Sequence, residues 1–313
     1  MKRPVIVGLG ELLWDVYEDG RYVGGATANV AIHAQRLGAG GIIASAVGED
    51  AEGDALVARI SGWGMDTAYI QRCATHPTGS VKVFLDEKGV PGFECSWDTA
   101  FDYVAYDESL RRLAADADGV VVGTFDQRNA VGRETTQRFL ADAGDMVRVF
   151  DVNFRWWDAR MEDIVRQTLE HTDILKFAED EMLKMRNAFG QAHLGIIPFM
   201  TWMADRFRLK LVALSLGGKG CVLTNGEETV MSPGVRVDVK DTTGCGDAFV
   251  AGLVLEYLDG AALEETAEFV NFLGAFIATQ HGATPEYSMK DVDRFRADHP
   301  DRMTFKLDGE TSA

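Results

Sequence analysis

The sequence predicts an α/β fold in which helices flank a doubly wound, mostly parallel sheet. The first observation is that short apolar runs alternate along the chain with segments of helical periodicity. The second is that 313 residues with 46% hydrophobic content are enough to build one large core. The third is an interruption of the alternation, because residues 79–85 and 91–97 read as two strands of a hairpin.

The first strand is predicted at Val5–Gly10, an apolar run that is typical of a buried strand. Glu11 and Asp15 follow its carboxyl end, where open α/β sheets place the groups that bind ligands. The segment Gly24–Asn29 then leads into a helix. Its paired glycines let a ligand approach the backbone, and Asn29 can bond hydroxyl groups. The same spacing also fits a plain helix start, so the spacing alone leaves both interpretations open.

Further apolar runs predict the remaining strands of the main sheet, and helical segments separate most of them. These runs are Gly41–Val47, Gly119–Gly123, Met146–Phe150, Asp173–Ala178 and Leu211–Leu216. Arg155 follows the third of them, and its planar guanidinium suits phosphate or substrate oxygens, although a surface salt bridge is the competing interpretation. The turn Gly217–Gly220 follows the last run and is not a P-loop, because Gly220 stands where Ser or Thr is required.

The strongest local signal is the string Asp-Thr-Thr-Gly-Cys-Gly-Asp-Ala-Phe at residues 241–249. A glycine turn there leads directly into an amphipathic helix, whose first amides have no internal partners and carry partial positive charge. Gly244 and Gly246 have no side chain that would exclude an anion, so the turn suits phosphate. Asp247 would be repelled by phosphate unless it accepts a proton from an attacking hydroxyl. The competing interpretation makes Asp241 and Asp247 turn and capping residues only.

This string resembles the signature of the ribokinase family of carbohydrate kinases, also called the phosphofructokinase-B family. The resemblance extends over residues 4–300, and its motifs occur in the family's order. It implies that Asp247 is the catalytic base and that the backbone of Gly244, Cys245 and Gly246 forms an anion hole. Cys245 stands where the family often has alanine, so it is either a passive small residue or a thiol that makes activity sensitive to oxidation.

The same resemblance implies the residues that hold the sugar. Residues 24–31 resemble the family's sugar-binding segment, and the Asp-x-Asn-x-Arg string at residues 151–155 resembles fructokinases and 2-keto-3-deoxygluconate kinases. Carboxylate and amide side chains suit a polyol, which needs polar partners at fixed positions. The implied sugar-binding residues are Asp15, Gly24, Gly25, Asn29 and Arg155.

ATP and metal ions are implied by the resemblance alone. Glu181 would position Mg²⁺ through water, and Asp241 would help to bind a monovalent cation such as K⁺. Many members of the family have asparagine where this chain has Ala178, which weakens the expected metal arrangement. The implied ATP-binding residues are Ser215, Gly218, Gly220, Asn271 and Gly282.

The resemblance further implies one ribokinase-like domain over residues 1–313. Its small β-sheet, built from residues 12–24 and 78–104, would cover the sugar as a lid. Members of the family often form dimers through this lid, so a homodimer is the expectation here. Residues 305–313 are polar and predict a loose tail.

The charge balance limits the partners that the protein can bind. The formal net charge is −18 and the pI is about 4.7, which argues against nucleic acid and anionic membranes because both require basic patches. Four scattered cysteines without a Cys-x-x-Cys pair indicate free thiols in a reducing cytoplasm. No apolar run reaches the length of a membrane span, and we expect no signal peptide.

Together these patterns predict an ATP-dependent sugar kinase that phosphorylates a primary hydroxyl of a small sugar. D-Fructose is the expected substrate, because Glu11, Asp15 and the Asp-x-Asn-x-Arg string resemble fructokinases. The alternatives are a 2-keto-3-deoxygluconate kinase, which would be expected to have an arginine near Cys95, or another sugar or nucleoside kinase. Ala178 motivates an alternative of another class, a pseudokinase that senses sugar and nucleotide without turnover, and the intact Asp247 argues against it.

Overall fold

The computed structural model describes residues 3–85 and 91–299. Within this part of the chain, the strands form one nine-stranded sheet and one four-stranded sheet. The strands are β1 (Val5–Leu9), β2 (Leu13–Tyr17), β3 (Gly20–Gly24), β4 (Gly40–Gly48), β5 (Ile70–Cys73), β6 (Gly79–Leu85), β7 (Pro91–Cys95), β8 (Gly119–Val122), β9 (Val147–Asp151), β10 (Ile174–Ala178), β11 (Leu211–Ser215), β12 (Gly220–Thr224) and β13 (Thr229–Pro233).

Helices connect most of the strands of the nine-stranded sheet. They are α1 (Ala26–Arg36), α2 (Ala51–Gly62), α3 (Glu108–Asp116), α4 (Ala130–Asp142), α5 (Ala159–Leu169), α6 (Glu179–Ala188), α7 (Ile196–Phe207), α8 (Cys245–Asp259), α9 (Leu263–Ala278) and α10 (Met289–Asp298). None of these helices, nor any other in the described residues, has the length and apolarity that a bilayer crossing requires.

The main sheet has the order β13-β12-β11-β10-β9-β8-β1-β4-β5. From β11 to β5 all neighbouring strands are parallel, whereas β12 and β13 extend the sheet in antiparallel fashion. The chain proceeds from β1 outward to β4 and β5, and then returns to β8 on the other side of β1. This reversal creates a switch point beside β1, and ligands of open α/β sheets bind at such a point. The predicted doubly wound, mostly parallel sheet is confirmed.

Two apolar layers cover the faces of this sheet, as the alternation of side chains along a strand requires. On β1, Val7 packs into the layer that contains residues of α3 to α7, including Phe139. Its neighbour Ile6 packs into the opposite layer, which contains Val30 of α1 and Phe249 of α8. Burial on both faces explains why the predicted strands read as continuous apolar runs.

The four-stranded sheet has the order β3-β2-β6-β7. The pairs β2–β3 and β6–β7 are antiparallel, and β2–β6 is parallel. Two chain segments that are far apart in sequence therefore form one separate small sheet, as expected. The chain then passes from β3 into α1 at Gly25, which anchors this sheet to the main domain. The tail expected at residues 305–313 lies outside the described residues.

Candidate active site

A cavity of about 940 Å³ lies at the carboxyl ends of the central strands of the main sheet, next to the small sheet. It contains most of the residues that the sequence analysis assigned to catalysis and sugar binding. The predicted site residues that line it are Asp15, Gly25, Asn29, Arg155, Asp241, Gly244, Gly246 and Asp247. The structure thus brings residues from β2, α1, the segment after β9 and the start of α8 to one place.

The turn before α8 has the backbone conformation that its glycines predict. Gly244 has φ of +79°, in the left-handed region that favours glycine. A side chain at Gly244 would also lie 2.2 Å from the backbone oxygen of Ala283. The turn is therefore fixed against a neighbouring loop, and the first amides of α8 lie at the cavity. Cys245 begins the helix, and burial raises the pKa of its thiol to about 12, so the thiol stays protonated.

Asp247 lies in the first turn of α8 and is almost completely buried. Its Oδ2 accepts a hydrogen bond of 2.8 Å from Nδ2 of Asn29. Burial raises the pKa of Asp247 to about 7, although the Asn29 hydrogen bond favours the charged form. Among the described residues, Oδ1 of Asn29 is buried and has no hydrogen-bond donor as a partner. Asn29 and Asp247, which both line the cavity, are therefore directly linked to each other.

Two more buried carboxyl groups, those of Glu11 and Asp15, also line the cavity. Burial raises the pKa of Asp15 to about 7, and the nearby positive charge of Arg155 opposes this rise. Glu11 accepts hydrogen bonds from the backbone and the hydroxyl of Thr27 at 3.3 Å each. Gly24 leaves the room that Asp15 occupies, because a side chain at Gly24 would lie 2.3 Å from Oδ2 of Asp15.

A buried ion pair between Lys176 and Asp151 was not predicted from the sequence. Nζ of Lys176 lies 3.0 and 3.2 Å from the two carboxylate oxygens of Asp151, and both residues line the cavity. The available signal was a charged residue inside the otherwise apolar strand β10, since lysine is almost never fully buried without a partner.

Asp241 joins the two loops that lie beside the start of α8. Its Oδ1 accepts a hydrogen bond of 2.9 Å from the backbone of Thr243, and its Oδ2 accepts one of 3.1 Å from the backbone of Gly282. Gly282 has φ of +77°, which again favours glycine. The residue expected to bind a monovalent cation thus contacts a residue expected to bind ATP.

The small sheet reaches these loops directly. The hydroxyl oxygen of Tyr17 on β2 lies 3.3 Å from Oγ1 of Thr243, and Tyr22 on β3 stacks on His281 with ring centroids 5.9 Å apart. Contacts from the small sheet therefore close one side of the cavity against the turn before α8.

Comparison with known proteins identifies the family. Residues 9–289 match the family model described as pfkB family carbohydrate kinase. The chain belongs to this family. It is accordingly a sugar kinase, a phosphotransferase whose acceptor is an alcohol group.

Relatives of this pfkB kinase cover nearly its whole length. An uncharacterized sugar kinase of Pyrococcus horikoshii is 30% identical over 299 residues, which cover 89% of this chain and 91% of that protein. A fructokinase of Klebsiella pneumoniae is 29% identical over 301 residues, which cover 90% and 96%. The structure of the Pyrococcus kinase in complex with ATP has a TM-score of 0.76 at 27% identity and covers 92% of this chain and 96% of that one. More distant structures of this fold, at 21% and 22% identity, contain ATP with Mg²⁺ and fructose with ADP and a potassium ion.

None of the five residues expected to bind ATP in this pfkB kinase lines the described cavity, and all but Gly282 form a separate group. Gly220 has φ of +123°, and a side chain there would lie 2.1 Å from the backbone oxygen of Ser232. Nδ2 of Asn271 donates to that same oxygen at 2.8 Å. Ser215 ends the neighbouring strand β11, and Gly218 is exposed in the turn that follows. Four of the five residues therefore lie around the turn between β11 and β12.

Glu181 keeps a defined position although Ala178 replaces the usual asparagine. Its Oε2 accepts a hydrogen bond of 2.7 Å from the backbone of Ala178, and burial raises its pKa to about 7. Among the described residues no cluster of three or more His, Cys, Asp or Glu side chains is arranged to hold a metal ion. A single carboxylate such as that of Glu181 suits Mg²⁺, which proteins usually bind through one or two carboxylates together with substrate phosphates and water.

Proposed function

We propose that this pfkB kinase transfers the γ-phosphate of ATP to a primary hydroxyl of D-fructose, with Asp247 as the general base. The observation that carries the proposal is the position of Asp247, which is buried at the helix N-terminus, bonded to Asn29 and has a pKa of about 7. A base with a pKa near the working pH has the best compromise between being deprotonated and accepting a proton.

The charges around the cavity support a neutral sugar as substrate. Acidic side chains outnumber basic ones in the lining: Glu11, Asp15, Glu18, Asp19, Asp151, Asp241 and Asp247 stand against Arg155, Lys176 and Lys240. Such a lining accepts hydrogen bonds from many hydroxyl groups, and above about pH 7, where Asp15 and Asp247 are charged as well, it repels a carboxylate. Fructose therefore suits the cavity better than 2-keto-3-deoxygluconate, and the similarity to the Klebsiella fructokinase supports the same choice.

In the proposed reaction the sugar hydroxyl lies between Asp247 and the γ-phosphorus of ATP. Asn29 orients Asp247 through the hydrogen bond from its Nδ2. As the hydroxyl oxygen attacks phosphorus, its proton moves to Asp247. The amides at Gly244–Gly246 donate to the phosphoryl oxygens, on which charge accumulates.

ATP would bind at the turn between β11 and β12, with Ser215, Gly218, Gly220 and Asn271 around it and Gly282 beside the phosphate turn. The ATP complex of the Pyrococcus relative supports ATP as the nucleotide. Mg²⁺ held through Glu181 and water would neutralise phosphate charge when bound. A K⁺ ion near Asp241, a homodimer through the small sheet and a cytoplasmic location remain predictions.

The proposal is tested by measuring ADP release with ATP and Mg²⁺ over a panel of acceptors, with and without K⁺. The panel contains fructose, 2-keto-3-deoxygluconate, ribose, glucose and adenosine. We expect the highest kcat/KM for fructose. Preference for the keto acid would overturn the charge argument and assign Arg155 to its carboxylate. If no acceptor in the panel supports ADP release although ATP still binds, fructokinase activity is refuted.

A further inference from the structure

Lys176 lies directly beneath the phosphate turn and has no role in the proposed function so far. Its Nζ is 3.4 Å from the point where a β-carbon of residue 246 would stand, so the glycine at that position leaves the ammonium open toward the turn. Lys176 is 6% exposed and lines the cavity. The missing side chain at Gly246 therefore connects the buried ammonium with the site where phosphate is expected.

The hydrogen bonds of Lys176 leave it one donor for a ligand. An ammonium group has three N–H donors. Among the described residues, its hydrogen-bond acceptors are the two oxygens of Asp151, at 3.0 and 3.2 Å. Burial by itself lowers the pKa of Lys176, but the carboxylates of Asp151, Glu181 and Asp247 outweigh it and raise the pKa above the ordinary value. The group is thus a fixed positive charge with one free donor.

Stability alone gives little reason for this charge. Taking both partners of an ion pair out of water costs free energy that their attraction barely returns, so apolar residues of similar size often serve a core equally well. The other residues of β10 are apolar, and the two neighbours of Lys176, Leu175 and Phe177, are fully buried. A buried charge at this position that also lines the cavity indicates a ligand.

We infer that Lys176 is a catalytic residue whose ammonium binds a non-bridging oxygen of the transferring γ-phosphoryl group through the gap at Gly246, while Asp151 holds the ammonium in place. This inference rests on the proposed phosphoryl transfer. In that step the sugar oxygen forms a bond to the γ-phosphorus, and the bond from this phosphorus to the oxygen that bridges to the β-phosphate breaks. The electron pair of that bond leaves with ADP, and the sugar proton goes to Asp247. Lys176 stays protonated throughout and stabilises the charge on the phosphoryl oxygens.

The test removes both charges of the pair at once. Lys176→Met alone would leave Asp151 as an unpaired buried charge and is expected to impair folding. The double variant Lys176→Met with Asp151→Asn avoids this. We expect it to fold, to keep the KM for the sugar within about threefold and to lose about 100-fold or more in kcat, which is the typical effect of losing one preorganised donor.

The chain offers a matched control at the other end of the same two strands. Arg148 on β9 pairs with Asp173, which directly precedes β10, at 2.8 Å, and neither residue lines the cavity. The double variant Arg148→Met with Asp173→Asn removes an ion pair between the same strands and should keep kcat. Equal losses of kcat in both double variants would assign Lys176 to strand packing rather than to catalysis.

Two further readouts separate contact with phosphate from a structural role. The ratio of turnover with ATP to turnover with its γ-thio analogue should fall severalfold in the Lys176 double variant and stay constant in the Arg148 control. ADP with Mg²⁺ and aluminium fluoride, which mimics the transferring group, should bind about 100-fold more weakly to the Lys176 variant than to the wild type, whereas ADP alone should bind equally. Calorimetry with this mimic needs no sugar, so it decides the role of Lys176 even if fructose proves to be the wrong substrate. Unchanged binding of the mimic would overturn the inference.

Discussion

Replacing Asn29 by alanine should move the pH dependence of turnover to higher pH. In the wild type, Nδ2 of Asn29 donates a 2.8 Å hydrogen bond to the carboxylate of Asp247 inside a buried site. This bond stabilises the charged form of Asp247, whose pKa burial has raised to about 7. Without this hydrogen bond the charged form of Asp247 is less stable, so the pKa of Asp247 rises further.

The size of the shift follows from the strength of the bond. A hydrogen bond to a charged group contributes roughly 1.5–3 kcal/mol, and one pKa unit corresponds to about 1.36 kcal/mol. The acid limb of the kcat profile should therefore move upward by about one to two pH units in Asn29→Ala. At pH 6 the variant should lose much more activity than at pH 9, where Asp247 is again deprotonated.

The assay is kcat against pH at saturating sugar, because this profile reports the groups of the enzyme–substrate complex. Asp15→Asn is the control, since Asp15 contacts neither Asn29 nor Asp247 by a hydrogen bond in the described structure and is proposed to hold the sugar. It should raise KM and leave the midpoint of the acid limb in place. An Asn29→Ala profile with the wild-type midpoint would refute the assignment of that limb to Asp247.

Three further outcomes follow from the structure. Gly244→Ala should lower both kcat and Tm, because its side chain would meet the Ala283 backbone at 2.2 Å. The control is Gly260→Ala at the other end of α8, where φ is a similar +70° but the space is open, so this change should cost only about 1 kcal/mol of stability and keep kcat. Equal losses of activity in the two variants would contradict a role for the close contact at Gly244. Asp247→Asn should raise Tm more at pH 8 than at pH 5. The reason is that a buried acid with a raised pKa loses its stabilising contribution as the pH rises through about 7. An equal gain in Tm at both pH values, measured by calorimetry, would contradict the raised pKa of Asp247. Ala178→Asn should raise Tm by a few degrees, because Ala178 is the N-cap of α6 with extended backbone and an asparagine there can accept a hydrogen bond from the first turn of the helix. An unchanged Tm in thermal unfolding would count against this capping.

Local pattern was enough to predict most of the main sheet. The run at residues 5–10 became β1 and the run at residues 211–216 became β11, each within one residue. Helix α7 was not predicted, because Pro198 in its first turn and the apolar residues on both sides of it obscure the helical period. The small sheet joins β2 and β3 with the distant strands β6 and β7, and only the family resemblance indicated that these segments form one sheet. Their parallel pairing through β2 and β6 was not predicted.

The candidate site was predictable where its residues are close together in sequence. The turn at Gly244 and the base Asp247 belong to one short string, and the structure places both at the cavity. Lys176 and Asp151 were missed because their contact depends on the register of β9 against β10, which pairs these two residues directly. Sequence periodicity predicts that two strands exist, but it does not specify which residues lie opposite each other.

The most direct test of the account is kcat of Asp247→Asn on the sugar that the wild type phosphorylates best, measured by ADP release together with ATP affinity. Asparagine keeps the size of the side chain and its contact with Asn29 but cannot accept the hydroxyl proton. We predict that kcat falls by about 100-fold to 10,000-fold, the usual contribution of a general base, while ATP binds with unchanged affinity. Turnover within about threefold of the wild type would contradict the role of Asp247 as the base.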